Sequence, residues 1–351
     1  MKNTVLGIVV LAALAGGMGY YIHVRHEQKK ADKEGRKKTD PNALKVALVT
    51  PGPFNGSGWN QNAVKALENI ESELGAKTFK VAAKDANDAY TSFRKFAEQN
   101  KVNIVIGHAG EYQSPKAVEI ADAEANRGVT FLISGSEKTE KNVVGVRFLL
   151  EDATYVLGQL AASMTKTNKL ACIGPEKWPV IESTFYAFEE GAKSVKPGIE
   201  VRVVWTQSSS DVARAKEQTL QLISEGVDFI FHNANEAAKG IFEAVQQNKD
   251  KGVLVFGAND DQALSMPQFD DVILASASLD IPGAYLEICK EIKDGKFEKK
   301  TQFIGMASGK VTVPFNKKLE SKIPPEVRKK IDETIEKLKK GEMKAPKRDL
   351  G

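Results

Sequence analysis

The residues of this chain that could do chemistry are aromatic and amide side chains at the ends of apolar runs. The clearest example is Phe54–Gln61, FNGSGWNQ, which lies between an apolar run, Lys45–Thr50, and a helical pattern, Ala63–Leu74. A strand, a Gly-rich turn and a helix start place that turn at the carboxyl edge of a sheet, where α/β proteins bind ligands. Trp59 offers a flat stacking face, and Asn60 offers a donor and an acceptor. The pattern favours a site for a small, flat, polar molecule; the alternative is a tight turn with the indole packed beneath it.

Further side chains of the same kind follow other predicted strands. The candidate ligand-site residues form an aromatic and amide-rich set: Phe54, Trp59, Asn60, His108, Tyr112, Trp178, Asn233, Asn235, Asn259 and Asp260. Such a set suits a nucleobase or another flat heterocycle. Plainer interpretations stay open. Tyr112 could be a rim residue and Trp178 a rim or hinge residue, while the two asparagines after His232 could cap the following helix.

Composition and missing motifs argue against several function classes. The chain has 351 residues, ordinary hydrophobic and charged fractions of 42% and 27%, and a net charge of +4. The basic excess lies mainly in 25–38 and 317–348, so we expect no nucleic-acid partner. The sequence contains no P-loop, no GxGxxG after the first strand and no GxSxG elbow. The acid pair Asp260-Asp261 could serve acid–base chemistry, yet an enzyme is the weaker class.

Histidine and cysteine usage offers no metal or cofactor site. The four histidines are scattered, and no CxxC pair occurs. We expect Cys172 and Cys289 to be buried free thiols, with one disulfide as the alternative. The sequence therefore predicts a binding protein without a metal ion or other cofactor.

The N-terminal region has the pattern of a membrane segment. Thr4–Val24 is an almost unbroken apolar run of about the length that spans a bilayer. We favour an uncleaved anchor over 1–24, because the run continues past Ala13–Ala15, the cleavage site that a signal peptide would use. No cysteine directly follows the run, so lipid attachment there is not expected. The basic residues of the charged linker, 25–44, favour a cytosolic side for the rest of the chain, so the extracytoplasmic expectation rests on the fold instead.

From Lys45 onward, short apolar runs alternate with helical patterns. The predicted strands are Lys45–Thr50, Phe79–Ala83, Asn103–Gly107, Thr130–Ser134, Val143–Arg147, Leu170–Gly174, Glu200–Trp205, Phe229–His232, Val253–Gly257, Val272–Ala275, Thr301–Ser308 and Lys310–Pro314. The predicted helices are Ala63–Leu74, Tyr90–Asn100, Pro115–Asn126, Ala153–Thr165, Ile181–Val195, Val212–Ser224, Ala237–Gln247 and Gly283–Lys293. Strands rich in Val, Ile and Phe are typical of parallel sheets buried on both faces. The alternation predicts an α/β fold with doubly wound sheets.

The pattern restarts near Phe148–Ala153, which predicts two lobes. Lobe 1 comprises 45–149 and is completed by about 277–316, and lobe 2 comprises 150–276. A chain that crosses back in this way forms a hinge, and the cleft between the lobes closes on ligand.

The C-terminal segment, 317–351, predicts an amphipathic helix followed by a basic tail. Its apolar face consists of Ile323, Val327, Ile331, Ile335 and Leu338. We expect this helix to pack on the body of the protein and the last ten residues to be mobile.

Six short stretches, in this order and spacing, carry a family resemblance: Gly58–Gln61, Ile104–Gly107, Ala161–Thr167, Phe188–Lys193, Glu225–Asp228 and Asp260–Gln262. With them the chain, from about residue 45 to 315, resembles the basic membrane protein family of solute-binding proteins, which includes purine-nucleoside-binding lipoproteins. The resemblance implies a type I periplasmic-binding fold with two Rossmann-like lobes and three hinge crossings. It also implies capture of a purine-like ligand, a nucleobase or a nucleoside, for an ABC importer with permease and ATPase subunits. It further implies an extracytoplasmic location at the cell membrane.

Three positions depart from the family pattern. Pro51 and Asn259 stand where nucleoside binders carry acids, and Leu279 stands where they carry a lysine. The resemblance implies that those charged groups hold the sugar and the base edge, so their loss argues against an ordinary nucleoside. The alternative functions are a membrane-anchored ligand sensor or scaffold without a transport role, and a nucleoside-processing enzyme.

Overall fold

The computed structural model describes residues 43–54 and 58–349. Its first part contains, in chain order, β1 (Lys45–Pro51), α1 (Gly58–Leu74), β2 (Lys77–Ala83), α2 (Ala86–Arg94), β3 (Ile104–Gly107), α3 (Pro115–Asp122), β4 (Thr130–Ser134) and β5 (Val143–Phe148). The second part contains α4 (Glu151–Met164), β6 (Lys169–Gly174), α5 (Pro179–Val195), β7 (Glu200–Trp205), α6 (Val212–Ser224), β8 (Phe229–His232), α7 (Ala238–Gln247), β9 (Leu254–Asn259), α8 (Gln262–Ser265), β10 (Ile273–Leu279), α9 (Ile281–Lys293), β11 (Gln302–Ile304), β12 (Val311–Thr312) and α10 (Pro325–Lys339).

The strands form two six-stranded sheets, which confirms the predicted α/β fold with two lobes. The first sheet has the order β11-β5-β4-β3-β1-β2, and the second has the order β12-β10-β9-β8-β6-β7. All pairings are parallel except that between β10 and β12. The central strands are fully buried, as sheets covered by helices on both faces require. In both sheets the strand order reverses beside the first strand of the lobe, and ligands bind outside the carboxyl ends of the strands at such a point.

The chain passes between the two sheets three times within residues 58–349. The passages come after β5, β10 and β11. The part that adds to the first lobe is narrower than the predicted 277–316, because β10 stays in the second sheet to Leu279 and β12 returns to it at Val311. Between them, α9 packs on α1 and β11 pairs with β5.

A buried ion pair fixes the first of these passages. Arg147, at the end of β5, donates to the Glu151 carboxylate in the first turn of α4, and both side chains are almost completely buried. Arg147 also lies 3.2 Å from a Glu137 oxygen. Because breaking a buried pair leaves an uncompensated charge in the interior, this arrangement holds the end of β5 to the start of α4.

Helix α1 begins five residues before the predicted Ala63. Gly58 is its first residue, so Trp59 and Asn60 lie in the first helical turn and not in the preceding loop. The helix start at Ala63 was predicted from the spacing of hydrophobic residues. The first turn of α1 has no such spacing, because Trp59 is its only large apolar residue.

Helices α4 and α5 pack unusually closely. A Cβ added at Gly158 would lie 2.0 Å from the Phe188 carbonyl oxygen, and one added at Gly191 would lie 2.1 Å from the Tyr155 carbonyl oxygen. The two glycines therefore face the opposite backbone reciprocally, and any larger residue at either position must push the helices apart.

The C-terminal segment covers the body. In α10 the side chains of Ile331 and Leu338 are buried against α4 and its surroundings. The tail beyond α10 also makes defined contacts: Lys347 lies 2.8 Å from both Glu137 oxygens, and the Arg348 amide donates to the Ser183 hydroxyl over 3.0 Å. Up to residue 349 the tail therefore contacts both lobes, and its mobility stays a prediction.

Cys172 and Cys289 are both buried and free, as predicted, and burial raises the pKa of each thiol. Within residues 43–54 and 58–349, no helix has the length and apolar character needed to cross a membrane. The predicted anchor, Thr4–Val24, lies outside the described residues.

Candidate functional site

A cavity of about 220 Å³ lies where the two lobes face each other. The first lobe contributes the start of α1 with Gly58, Trp59 and Gln61. The second lobe contributes the segments after β8 and β9: His232, Ala234, Asn235, Glu236, Ala238, Lys239, Ala258, Asn259, Asp260, Gln262, Ser265 and Met266. One aromatic wall thus faces a polar and charged wall, and both come from the carboxyl ends of parallel strands.

Trp59 forms the aromatic wall, and its position is fixed by His108. The two rings stack with centroids 4.1 Å apart and planes 17° apart. The Trp59 indole N–H donates to the His108 carbonyl oxygen over 3.2 Å. This proximity arises from the sheet, since β1 and β3 are neighbours and the chain segments after them meet at the same edge.

His108 supports the indole from behind and is not among the cavity-lining residues. Its side chain is fully buried, and Nε2 lies 3.1 Å from the Trp59 carbonyl oxygen. Burial lowers the pKa of His108 to about 3, against the opposing effect of the hydrogen bond to Trp59. The imidazole is therefore neutral at physiological pH.

Asn60 and Phe54 shape the loop after β1. The Asn60 amide donates to the carbonyl oxygens of Pro51 and Pro53 over 3.2 and 3.0 Å. The Phe54 ring lies 5.1 Å from the Lys80 ammonium on β2. Neither side chain lines the cavity; Asn60 holds the described start of the loop, 51–54, to the first turn of α1.

The predicted asparagines come together on the second-lobe wall. Asn235, Asn259 and Asp260 line the cavity. Asn233 lies beside them, where its side-chain oxygen accepts from Asn259 Nδ2 over 3.0 Å. Asn235 and Asn259 have φ values of 51° and 65°, in the left-handed region that asparagine tolerates better than most residues.

The structure places Tyr112 and Trp178 away from the cavity. Tyr112 is fully buried in the core of the first lobe, where its ring meets Phe93 edge-on at 5.8 Å. Trp178 precedes the first turn of α5 and is 41% exposed. A position just after a strand end brings a residue to the correct edge of the sheet but does not fix the direction of its side chain.

Several cavity residues were not predicted from the sequence. The most informative are Gln61, Glu236, Lys239 and Gln262. Gln262 fixes the second-lobe wall, because its Oε1 accepts from the Ala258 amide and from His232 Nε2, each over 2.8 Å. Burial lowers the pKa of His232 to about 4, so this imidazole is also neutral.

Glu236, Lys239 and Asp260 bring three charges to the cavity wall. None of the three has an ion-pair partner within the described residues. Glu236 lies in the single 3₁₀ turn Asn235–Ala237, and Lys239, three residues further on, lies in the first turn of α7. Side chains three residues apart at a helix start lie close together, and this spacing could have identified the pair from the sequence.

One protein family matches nearly the whole of the chain that the structure describes. Residues 43–349 match the Bmp family, described as ABC transporter substrate-binding protein PnrA-like. The chain belongs to this family. The predicted resemblance is thereby confirmed, together with the class of ABC transporter substrate-binding proteins.

This Bmp-family chain is similar to two relatives of described binding function and to one solved structure. It is 30% identical over 318 residues to the ABC transporter nucleoside-binding protein BmpA of Lactococcus lactis subsp. cremoris, covering 85% of this chain and 87% of the relative. It is 28% identical over 305 residues to a purine-binding protein of Brucella abortus, covering 86% and 82%. A solute-binding protein of an ABC transporter system from Aeropyrum pernix shares the fold, with a TM-score of 0.74, 15% identity and coverage of 86% and 94%.

Proposed function

We propose that this Bmp-family protein captures a neutral purine-like ligand in the cleft between its lobes and delivers it to an ABC importer. The observation that carries the proposal is the pairing of a fixed indole, Trp59, with a wall of amides and charges across the same cavity. An aromatic face stacks on a heterocycle, while the amides donate and accept, and the carboxylates accept, at its edge. The nucleoside- and purine-binding relatives support the same ligand class.

The charges at the cavity favour a neutral ligand over an anionic one. Two carboxylates, Glu236 and Asp260, face one ammonium, Lys239. A phosphorylated ligand would meet more negative than positive charge, whereas a nucleobase or nucleoside offers N–H and O–H donors to the carboxylates and acceptors to the lysine. We therefore place nucleosides and nucleobases above nucleotides.

Binding by closure of the lobes fits the three chain passages between the sheets, since such passages act as hinges. We further propose that the binding unit is extracytoplasmic, that an N-terminal segment holds it at the membrane, and that permease and ATPase subunits are its partners. The protein acts in this scheme as a binding protein and not as an enzyme.

A thermal-shift screen of the full chain tests the ligand class. The panel contains adenosine, guanosine, inosine, adenine and hypoxanthine, with guanosine monophosphate as the matched anionic control. A ligand present at one hundred times its dissociation constant stabilises the fold by about 2.7 kcal/mol. We expect a shift with at least one neutral purine, a weaker shift with the monophosphate, and a smaller shift in Trp59→Ala at the same ligand concentration. No shift with any neutral purine would refute the proposal.

A ligand sensor without a transport role is the second candidate. The resemblance implies charged ligand contacts at the positions of Pro51, Asn259 and Leu279, and the uncharged residues at these positions favour this candidate. Uptake of the labelled ligand in cells with and without this chain separates the two functions. If the protein serves transport, ligand uptake should fall in cells that lack the chain. If it is a sensor, uptake should be unchanged in those cells, although the purified protein binds the ligand.

A further inference from the structure

Two side chains outside the cavity converge on the imidazole that supports Trp59. The Tyr285 hydroxyl, on α9, lies 2.8 Å from His108 Nδ1, and the Ser134 hydroxyl, at the end of β4, lies 3.3 Å from the same nitrogen. Tyr285, Ser134 and His108 are all fully buried. A buried polar group without a hydrogen-bond partner destabilises the folded state, so these three side chains must keep a geometry in which they bond to one another.

The hydrogen-bond partners determine the tautomer of His108. The Trp59 carbonyl oxygen can only accept, so Nε2 carries the proton. A neutral imidazole then has an unprotonated Nδ1, which accepts the hydrogen bond from the Tyr285 hydroxyl. Tyr285 thus selects the tautomer that His108 needs in order to hold the Trp59 backbone.

Trp59 is fixed at three points by this one histidine. Its carbonyl oxygen accepts from Nε2, its indole N–H donates to the His108 carbonyl, and one indole face is covered by the ring. Trp59 also lines the cavity. A stacking face that is already fixed before the ligand arrives loses less side-chain freedom on binding.

The same group connects the aromatic wall to the passages between the lobes. Phe148, the last residue of β5, lies 6.0 Å edge-on from both Trp59 and Tyr285. Tyr285 itself lies in the second turn of α9, just after the chain leaves β10. Two of the three chain passages, those after β5 and β10, therefore lie beside residues that contact Trp59 or His108.

We propose that Tyr285, assisted by Ser134, is a positioning residue for the ligand: it fixes His108, and His108 presents one face of Trp59 to the cleft. The effect on affinity rests on the proposed function, whereas the effect on Trp59 does not. Tyr285 does not line the cavity, so its role is to organise the stacking face and not to contact the ligand.

A set of matched variants tests the effect on affinity. Tyr285→Phe keeps the ring and removes the hydroxyl; Tyr112→Phe is the control, since Tyr112 lies in the core of the same lobe and its hydroxyl has no hydrogen-bond partner among the described residues. Isothermal titration of the full chain with the purine panel should show about a fivefold loss for Tyr285→Phe, as for one hydrogen bond, and none for Tyr112→Phe. In a Trp59→Ala background, Tyr285→Phe should cost nothing further. An equal loss in both backgrounds would refute action through Trp59.

A ligand-free measurement decides the positioning role even if no purine binds. The chain has three tryptophans, so selective ¹⁵N labelling gives three indole signals that can be assigned by substitution. Tyr285→Phe should shift the Trp59 signal and leave those of Trp178 and Trp205 in place; Ser134→Ala should shift it less. An unmoved Trp59 signal in folded Tyr285→Phe would overturn the proposal. A wild-type protein that binds no purine while this signal moves would refute the proposed function alone.

Discussion

The two buried histidines should make the folded state sensitive to acid well above the usual range of carboxylate protonation. Burial lowers the pKa of His108 to about 3 and that of His232 to about 4, whereas an unfolded histidine titrates near 6.5. Between these values the unfolded state binds more protons than the folded state. Stability is therefore fully present above about pH 6.5 and is lost as the pH falls towards 4.

The size of the effect can be worked out from the same values. At pH 5 an unfolded histidine is almost fully protonated while both folded histidines stay neutral, which lowers the free energy of unfolding by about 2 kcal/mol for each relative to pH 7. Together His108 and His232 should account for about 4 kcal/mol, a large part of the 5–15 kcal/mol or so that holds an ordinary protein folded. Burial also raises the pKa of Asp152 and Asp261, which acts in the opposite direction because those carboxyls stabilise the folded state at low pH.

Urea unfolding of the full chain at pH 7 and pH 5 measures this difference. His108→Gln and His232→Gln each remove one titrating group, so each should lower the stability at pH 7 but roughly halve the loss between the two pH values. The double variant should show little loss. If His108→Gln keeps the full wild-type loss, then His108 is not neutral in the folded state, and the hydrogen-bond assignment around Trp59 is wrong.

Three further changes test the packing. Gly158→Ala should destabilise the protein by about 3 kcal/mol in urea unfolding, because its Cβ would meet the Phe188 carbonyl at 2.0 Å, whereas Gly198→Ala, with nothing within 4 Å, should change stability by less than about 0.5 kcal/mol. Asn60→Ala should cost about 1–2 kcal/mol through two lost hydrogen bonds, and equal stability in a melting experiment would contradict the loop-holding role. Deletion of 342–351 should cost about 1–2 kcal/mol, since its ion pairs are partly exposed, and an unchanged urea midpoint would show that the tail contacts contribute nothing.

Much of the fold could be predicted because parallel strands carry a simple signal. Thr130–Ser134 and Phe229–His232 have the predicted bounds, since a strand buried on both faces is a short apolar run with polar neighbours. Glu200–Trp205 also has the predicted bounds, although it is an edge strand and only partly buried. The C-terminal part was harder. The runs predicted at Thr301–Ser308 and Lys310–Pro314 contain only three and two strand residues, and they pair with different sheets. Sequence periodicity does not encode the partner of so short a strand.

The sequence could predict which residues lie at the carboxyl edges of the sheets, but not the direction in which each side chain points. Strand ends located Trp59, Asn235, Asn259 and Asp260 at the cavity, because the sheet brings those ends together. The role of His108 could not be foreseen, since its partner Tyr285 lies 177 residues further along the chain. Glu236 and Lys239 were also missed, because a charged pair at the start of a helix is normally interpreted as a solvated surface.

The late position of β11 and α9 in the sequence has a consequence for biosynthesis. The first sheet receives its edge strand, Gln302–Ile304, and α1 receives its covering helix, Ile281–Lys293, only after the whole second lobe has been made. At ribosomal rates that delay is on the order of ten seconds, during which β5 presents an unpaired edge. The second sheet waits as well, for Val311–Thr312. Neither lobe can be finished as an independent folding unit, so separately expressed halves should be insoluble, and the nascent chain is exposed to aggregation until it is nearly complete.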